Sequence, residues 1–155
     1  MDPFTSDFWI GICVAVLCGA IVGFERQIRG KPAGIRTNIL ICLGTSIFIR
    51  LGAMYSGASV DPTRVLGQVV TGIGFLGAGV IIAREGLVLG VTSAAVIWVL
   101  AGIGAMIGFG RFHEAVTLAL VTVAILTGVE FLESSIRRLR RGAHEARDNT
   151  STHEE

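Results

Sequence analysis

The stretch DPTRVLGQVVTGIGFLGAGVIIAREG, residues 61–86, begins with Asp-Pro, a helix N-cap followed by a residue suited to the first helical turn. From Val65 to Ala83 it carries no charge. As a helix, that segment is about 28 Å long at about 1.5 Å per residue, close to the ~30 Å hydrocarbon core of a bilayer. Gly67, Gly72, Gly74, Gly77 and Gly79 would weaken a helix in water. In lipid, small residues let helices approach closely. Gln68 and Thr71 are its only strongly polar side chains, and Arg84 and Glu85 close it. The stretch reads as a crowded central membrane helix.

The rest of the chain fits that reading. Of 155 residues, 52% are hydrophobic and 16% charged, where a soluble domain carries about 25% charged residues. Twenty-one glycines against three prolines suit packed membrane helices. No basic patch with interleaved aromatics points to nucleic acid. Cys13, Cys18 and Cys42 all lie in apolar runs without metal-ligand spacing, so they read as small core or lipid-facing residues.

Outward from the central stretch, the chain resolves into an all-α membrane protein of about five Gly-rich transmembrane helices. Residues 1–7 are a short polar segment outside the membrane, without the basic start or small-residue cleavage pattern of a signal peptide. The membrane domain spans residues 8–135. Its first apolar run, Phe8 to Phe24, repeats Gly11, Ala15, Gly19 and Gly23 at every fourth position, a smooth face containing the GxxxG pair Gly19–Gly23. Residues 25–34, ERQIRGKPAG, form a loop. A second span runs from Ile35 to Tyr55 and a fourth from Thr92 or Ser93, as helix cap, to about Phe109. Glu85-Gly86 reads as a turn, and residues 87–91, though apolar, need not be helical. The fourth span carries a second GxxxG, Gly104–Gly108, and the fifth covers Ala115 to Leu132. Residues 136–155 read as a basic, then disordered tail. Basic residues concentrate in the first loop, at Arg84 and after the fifth span, so the N-terminus is expected outside and the C-terminus in the cytoplasm.

Three groups of residues are candidates for a site. On the cytoplasmic side Glu25, Arg26, Arg36, Arg84 and Glu85 lie at span ends, with the fourth helix's N-terminus beside them. They form either a set of interfacial ion pairs or a place for a phosphate or anionic headgroup. The outer rim, Arg50, Asp61 and Arg64, reads as a cap with an ion pair. Within the membrane, Gln68 falls near the depth of Thr45 and Ser46, and a hydrogen bond from Gln68 to one of these is expected as helix glue, the alternative being that Gln68 and Thr71 line a polar path. The glycines Gly19, Gly23, Gly72, Gly74, Gly77, Gly79, Gly104 and Gly108 read as packing surface. Such faces often pair symmetrically, so a homo-oligomer, with a dimer favoured, is expected. No nucleophile, phosphate-loop or zinc motif is present. Neither catalysis, a metal nor a cofactor is expected.

Residues 23–48, GFERQIRGKPAGIRTNILICLGTSIF, residues 61–82, DPTRVLGQVVTGIGFLGAGVII, and the pattern of Arg84-Glu85-Gly86, Gly90, Thr92, Ala94-Ala95 and Trp98 resemble the MgtC/SapB family of bacterial inner-membrane proteins. The resemblance covers about residues 8–135. It implies a multi-pass inner-membrane protein linked to growth in low magnesium and, in intracellular pathogens, to virulence. It further implies a regulator that acts on another inner-membrane protein such as the proton-driven ATP synthase, with a small oligomeric transporter or channel for magnesium or protons as the alternative. Many members add a soluble C-terminal ACT-like domain; this chain is expected either to lack it or to be a piece of a longer protein. The matching motif residues are Glu25, Arg26, Lys31, Pro32, Gly34, Arg36, Asp61, Arg64, Gly72, Gly74, Gly77, Gly79, Arg84, Glu85 and Gly86.

Overall fold

The computed structural model describes residues 6–54, 62–84 and 87–151, with side chains described as far as residue 132 except at 62, 63 and 84. The chain divides into two units, residues 1–123 and 124–155. The first contains α1 (Ser6–Ile28), α2 (Ile35–Met54), α3 (Pro62–Gly79), a short hairpin of β1 (Ile82–Arg84) and β2 (Leu87–Leu89), and α4 (Val91–Gly108). Helix α5 (Phe112–Ser151) begins in the first unit and makes up most of the second, so it takes in much of the segment expected as a disordered tail. Among the described residues, four helices are long and apolar enough to cross a membrane: α1, α2, α4 and residues 112–132 of α5. The 18 residues of α3 carry Arg64, Gln68 and five glycines, and its hydropathy is correspondingly lower.

The core is a three-helix packing with α2 in the middle. Both GxxxG faces meet α2, from opposite helices. A Cβ on Gly19 would lie 2.5 Å from the Ile39 Cα, and one on Gly23 2.6 Å from the Ile35 Cα. On the α4 side, a Cβ on Gly104 would lie 2.6 Å from the Cys42 carbonyl oxygen, and one on Gly108 2.6 Å from the Ile49 Cβ. Backbone-to-backbone approach of this kind is what small residues permit between membrane helices. Around these contacts Val22, Ile49, Ile97, Leu100, Ile103 and Ile107 are fully buried. Cys18 and Cys42 are buried and Cys13 exposed, all as free thiols; the Cys42 thiol donates to the Leu100 carbonyl at 3.6 Å.

Helix α3 stands outside this core. It leans on α4, burying Ile73 and setting Gly77 beside Ala94, and touches α2 where a Cβ on Gly52 would strike Val65. It also ends earlier than its apolar sequence suggests, at Gly79 rather than Ala83. The reason is local. Two glycines weaken the last turn, and the β-branched run Val80-Ile81-Ile82 favours a strand. Strands β1 and β2 pair antiparallel, with Ile82 opposite Leu89 and Ala83 opposite Val88. Gly90 closes the hairpin with φ of +88°, a backbone state that favours glycine, and a Cβ there would run into the Val80 carbonyl. Gly90 is also the N-cap of α4, and no side chain caps that helix, so neither Thr92 nor Ser93 plays the expected part.

Candidate functional site

The first candidate is a polar cluster where α1 ends and α4 begins. Glu25 and Arg26 sit in the last turn of α1; Ser93 sits in the first turn of α4. The Arg26 guanidinium donates to Ser93 Oγ at 2.6 Å across 67 residues of sequence. Arg26 is 3% exposed, Ser93 2% and Glu25 8%. Glu25 lies 4.0 Å from Arg26 and 2.6 Å from Arg29. These are charge contacts without aligned hydrogen bonds, since both carboxylate oxygens lack a hydrogen-bond donor. A buried guanidinium held near a carboxylate and a hydroxyl is a tie between α1 and α4.

Asn38 deepens this cluster. It is fully buried, and both its amide oxygen and its amide nitrogen lack hydrogen-bond partners, as does Arg26 Nε. Asn38 faces α1, where a Cβ on Gly23 would lie 3.2 Å from the Asn38 Cβ. It lies about one helical turn further into the bundle than Ser93, because Cys42, one turn beyond Asn38, meets Leu100, two turns beyond Ser93. An unpaired buried amide costs about 1–3 kcal/mol. Asn38→Val is therefore expected to raise stability by about 1–2 kcal/mol, seen as a higher denaturant midpoint in detergent.

Of the other residues expected here, Arg36 is exposed and outside the tie. Arg84 lies on β1, and Glu85 and Gly86 lie outside the described residues. Sequence spacing placed these charges at one depth but did not distinguish the sides of the helices they project from. Ser93, considered only as a helix cap, is the partner that reading missed; its signal is a pair of hydroxyls, Thr92 and Ser93, in the first turn of an otherwise apolar helix.

The second candidate is a cleft of about 580 Å³ between α2 and α3. Its walls are apolar apart from Thr37, Thr45 and Gln68. The cleft corrects one expectation: Gln68 makes no hydrogen bond to Thr45 or Ser46 among the described residues. It is exposed, because α3 stands off α2 at this level. Ser46 donates instead to the Leu43 carbonyl at 2.8 Å, and Thr71 to the Gly67 carbonyl at 2.9 Å, so both hydroxyls are satisfied within their own helices. Beyond the cleft, Gly67, Thr71, Gly74 and Ala78 line one exposed stripe of α3. Gly67, Gly72, Gly74 and Gly79 have open space where a side chain would begin, and only Gly77 of the expected α3 packing glycines meets a neighbour within the chain.

At the other end of the bundle, Arg50 turns to α1. It lies over Gly11, donates to the Asp7 carbonyl at 3.1 Å, and sits 5.9 Å from the Phe112 ring centre. Arg64 is exposed on α3, and Asp61 lies outside the described residues.

Residues 12–135 match the MgtC family. The chain is 40% identical over 149 residues to YhiD of Escherichia coli strain K12, which carries the name of a candidate magnesium transporter; the match covers 90% of this chain and 67% of YhiD. It is 41% identical over 133 residues to the protein MgtC of Salmonella typhimurium and 39% identical over 131 residues to that of Brucella abortus. Those matches cover 85% and 83% of this chain but only 55% of each relative. No solved structure matches the chain.

Proposed function

The chain belongs to the MgtC family, and we propose that it is an inner-membrane regulator that works by contact with another membrane protein, in adaptation to low magnesium and, in pathogens, in virulence. The observation that carries this reading is the state of α3. Three helices already form a closed core, while α3 keeps its small-residue stripe and the adjoining cleft uncovered. In lipid, a smooth helix face beside an apolar cleft suits another helix, with Gln68 as a polar anchor inside it. The family resemblance makes the membrane sector of the ATP synthase the first partner to test. The magnesium transporter reading, suggested by the name of YhiD, would use the same cleft. Its largely apolar walls suit a helix better than a hydrated cation, which takes oxygen ligands.

A photo-crosslinking residue at Phe75, which is 82% exposed, tests the proposal. Adducts with the ATP synthase membrane sector, lost in Gly74→Leu while the thermal midpoint holds, are expected. Adducts confined to lipid, or saturable magnesium flux in liposomes holding this protein alone, would sink it. Adducts with a second copy would assign the face to self-association instead.

A further inference from the structure

Between α3 and α4 the hairpin presents apolar side chains on both faces. Ile82 and Leu89 share one face and Val88 points to the other. Ile82, Leu87, Val88 and Leu89 are each 54–60% exposed. Each strand pairs along one edge only, so the outer edges offer unpaired backbone groups. These two properties conflict in either bulk phase. Water would hydrate the edges but not the side chains. The hydrocarbon core would accept the side chains but leave the edges unsatisfied, and open sheet edges do not face lipid at that depth. The boundary between headgroups and acyl chains satisfies both.

A second observation comes from charge. The Arg26–Ser93 hydrogen bond ties the end of α1 to the start of α4, so the α1–α2 loop and the hairpin occupy the same end of the bundle. Lys31 and Arg36 are exposed there, while Glu25 is buried against Arg29. Among the described residues, the exposed charges of that end are therefore basic. Basic residues beside a membrane surface favour anionic lipid, by roughly fivefold for each charge.

We propose that the paired strands Ile82–Arg84 and Leu87–Leu89 and the adjacent loop bearing Lys31 and Arg36 form one platform that lies in the headgroup layer and selects anionic lipid. The hairpin supplies the shallow apolar insertion and the loop supplies the charge preference. Neither part depends on the protein contact assigned to α3.

An environment-sensitive fluorophore on Val88→Cys, in a Cys13→Ser background, reports the position in nanodiscs. Leu87→Cys serves if the first variant does not fold. Emission is expected to be quenched more by a shallow nitroxide lipid than by a deep one or by aqueous iodide. Adding phosphatidylglycerol to phosphatidylcholine discs should shift the emission further. Lys31→Gln/Arg36→Gln should abolish that shift with an unchanged thermal midpoint. Strongest quenching by iodide would place the hairpin in water, and protection from every quencher would mean that protein covers it. Indifference to phosphatidylglycerol would remove the lipid preference. Each of these three results overturns the proposal.

Discussion

Gly19→Ala is expected to destabilise the protein by about 3 kcal/mol, although it adds a single methyl group. The new carbon would lie 2.5 Å from the Ile39 Cα, 2.7 Å from the Ile39 nitrogen and 2.8 Å from the Asn38 carbonyl oxygen. All three are backbone atoms, so no side chain can rotate away. The helices must separate, which also opens the approach of Gly23 to Ile35 one turn away. The same change on α3 has the opposite sign. A Cβ at Gly74 meets nothing within 4 Å, and replacing a mid-helix glycine by alanine favours the helix by about 0.5–1 kcal/mol. Unfolding midpoints of the two variants in one detergent check both signs at once. Equal effects would mean that α1 does not pack on α2 through its glycines.

Glu25→Ala is the other large effect, a loss of about 3–5 kcal/mol. Glu25 is the carboxylate nearest to Arg26, which is 3% exposed. Removing it leaves a buried guanidinium with Ser93 as its hydrogen-bond partner and Arg29 as a like-charged neighbour. Adding Arg26→Met to the same chain removes the uncompensated charge and fills its volume. The double variant should recover most of the loss, because an apolar replacement of a buried pair is often neutral. If the double variant is no better than Glu25→Ala alone, the damage lies in the Ser93 tie rather than in the charge. Chemical unfolding of the parent protein, Glu25→Ala, Arg26→Met and the double variant measures the difference.

The apolar runs disclosed the helices, because lipid demands length and hydropathy. The four-residue glycine spacing disclosed the contact faces of α1 and α4 for the same reason that it creates them. On α3 the same spacing leads elsewhere, because α2 is already covered from both sides by α1 and α4. Spacing says that a face is smooth; it does not say which neighbour has room for it. The first strand of the hairpin was hidden because Val80-Ile81-Ile82 is as apolar as a helix end. Only its β-branching, after Gly77-Ala78-Gly79, marks the change of backbone. The Arg26–Ser93 tie was hidden because it joins residues 67 positions apart, and depth along a helix does not determine rotation about it.

The place of α2 has a consequence for synthesis. Helices α1 and α2 can pair as soon as both have emerged, but the other side of α2 waits for Gly104 and Gly108. Helix α3 is made in the interval and reaches the bilayer before its main support exists. In the folded chain the Cys42 and Ile49 surface of α2 receives α4, and α3 touches α2 elsewhere, at Gly52. A chain stalled before residue 104 would hold an α1–α2 pair with a bare flank, the form most open to insertion-machinery or chaperone contact.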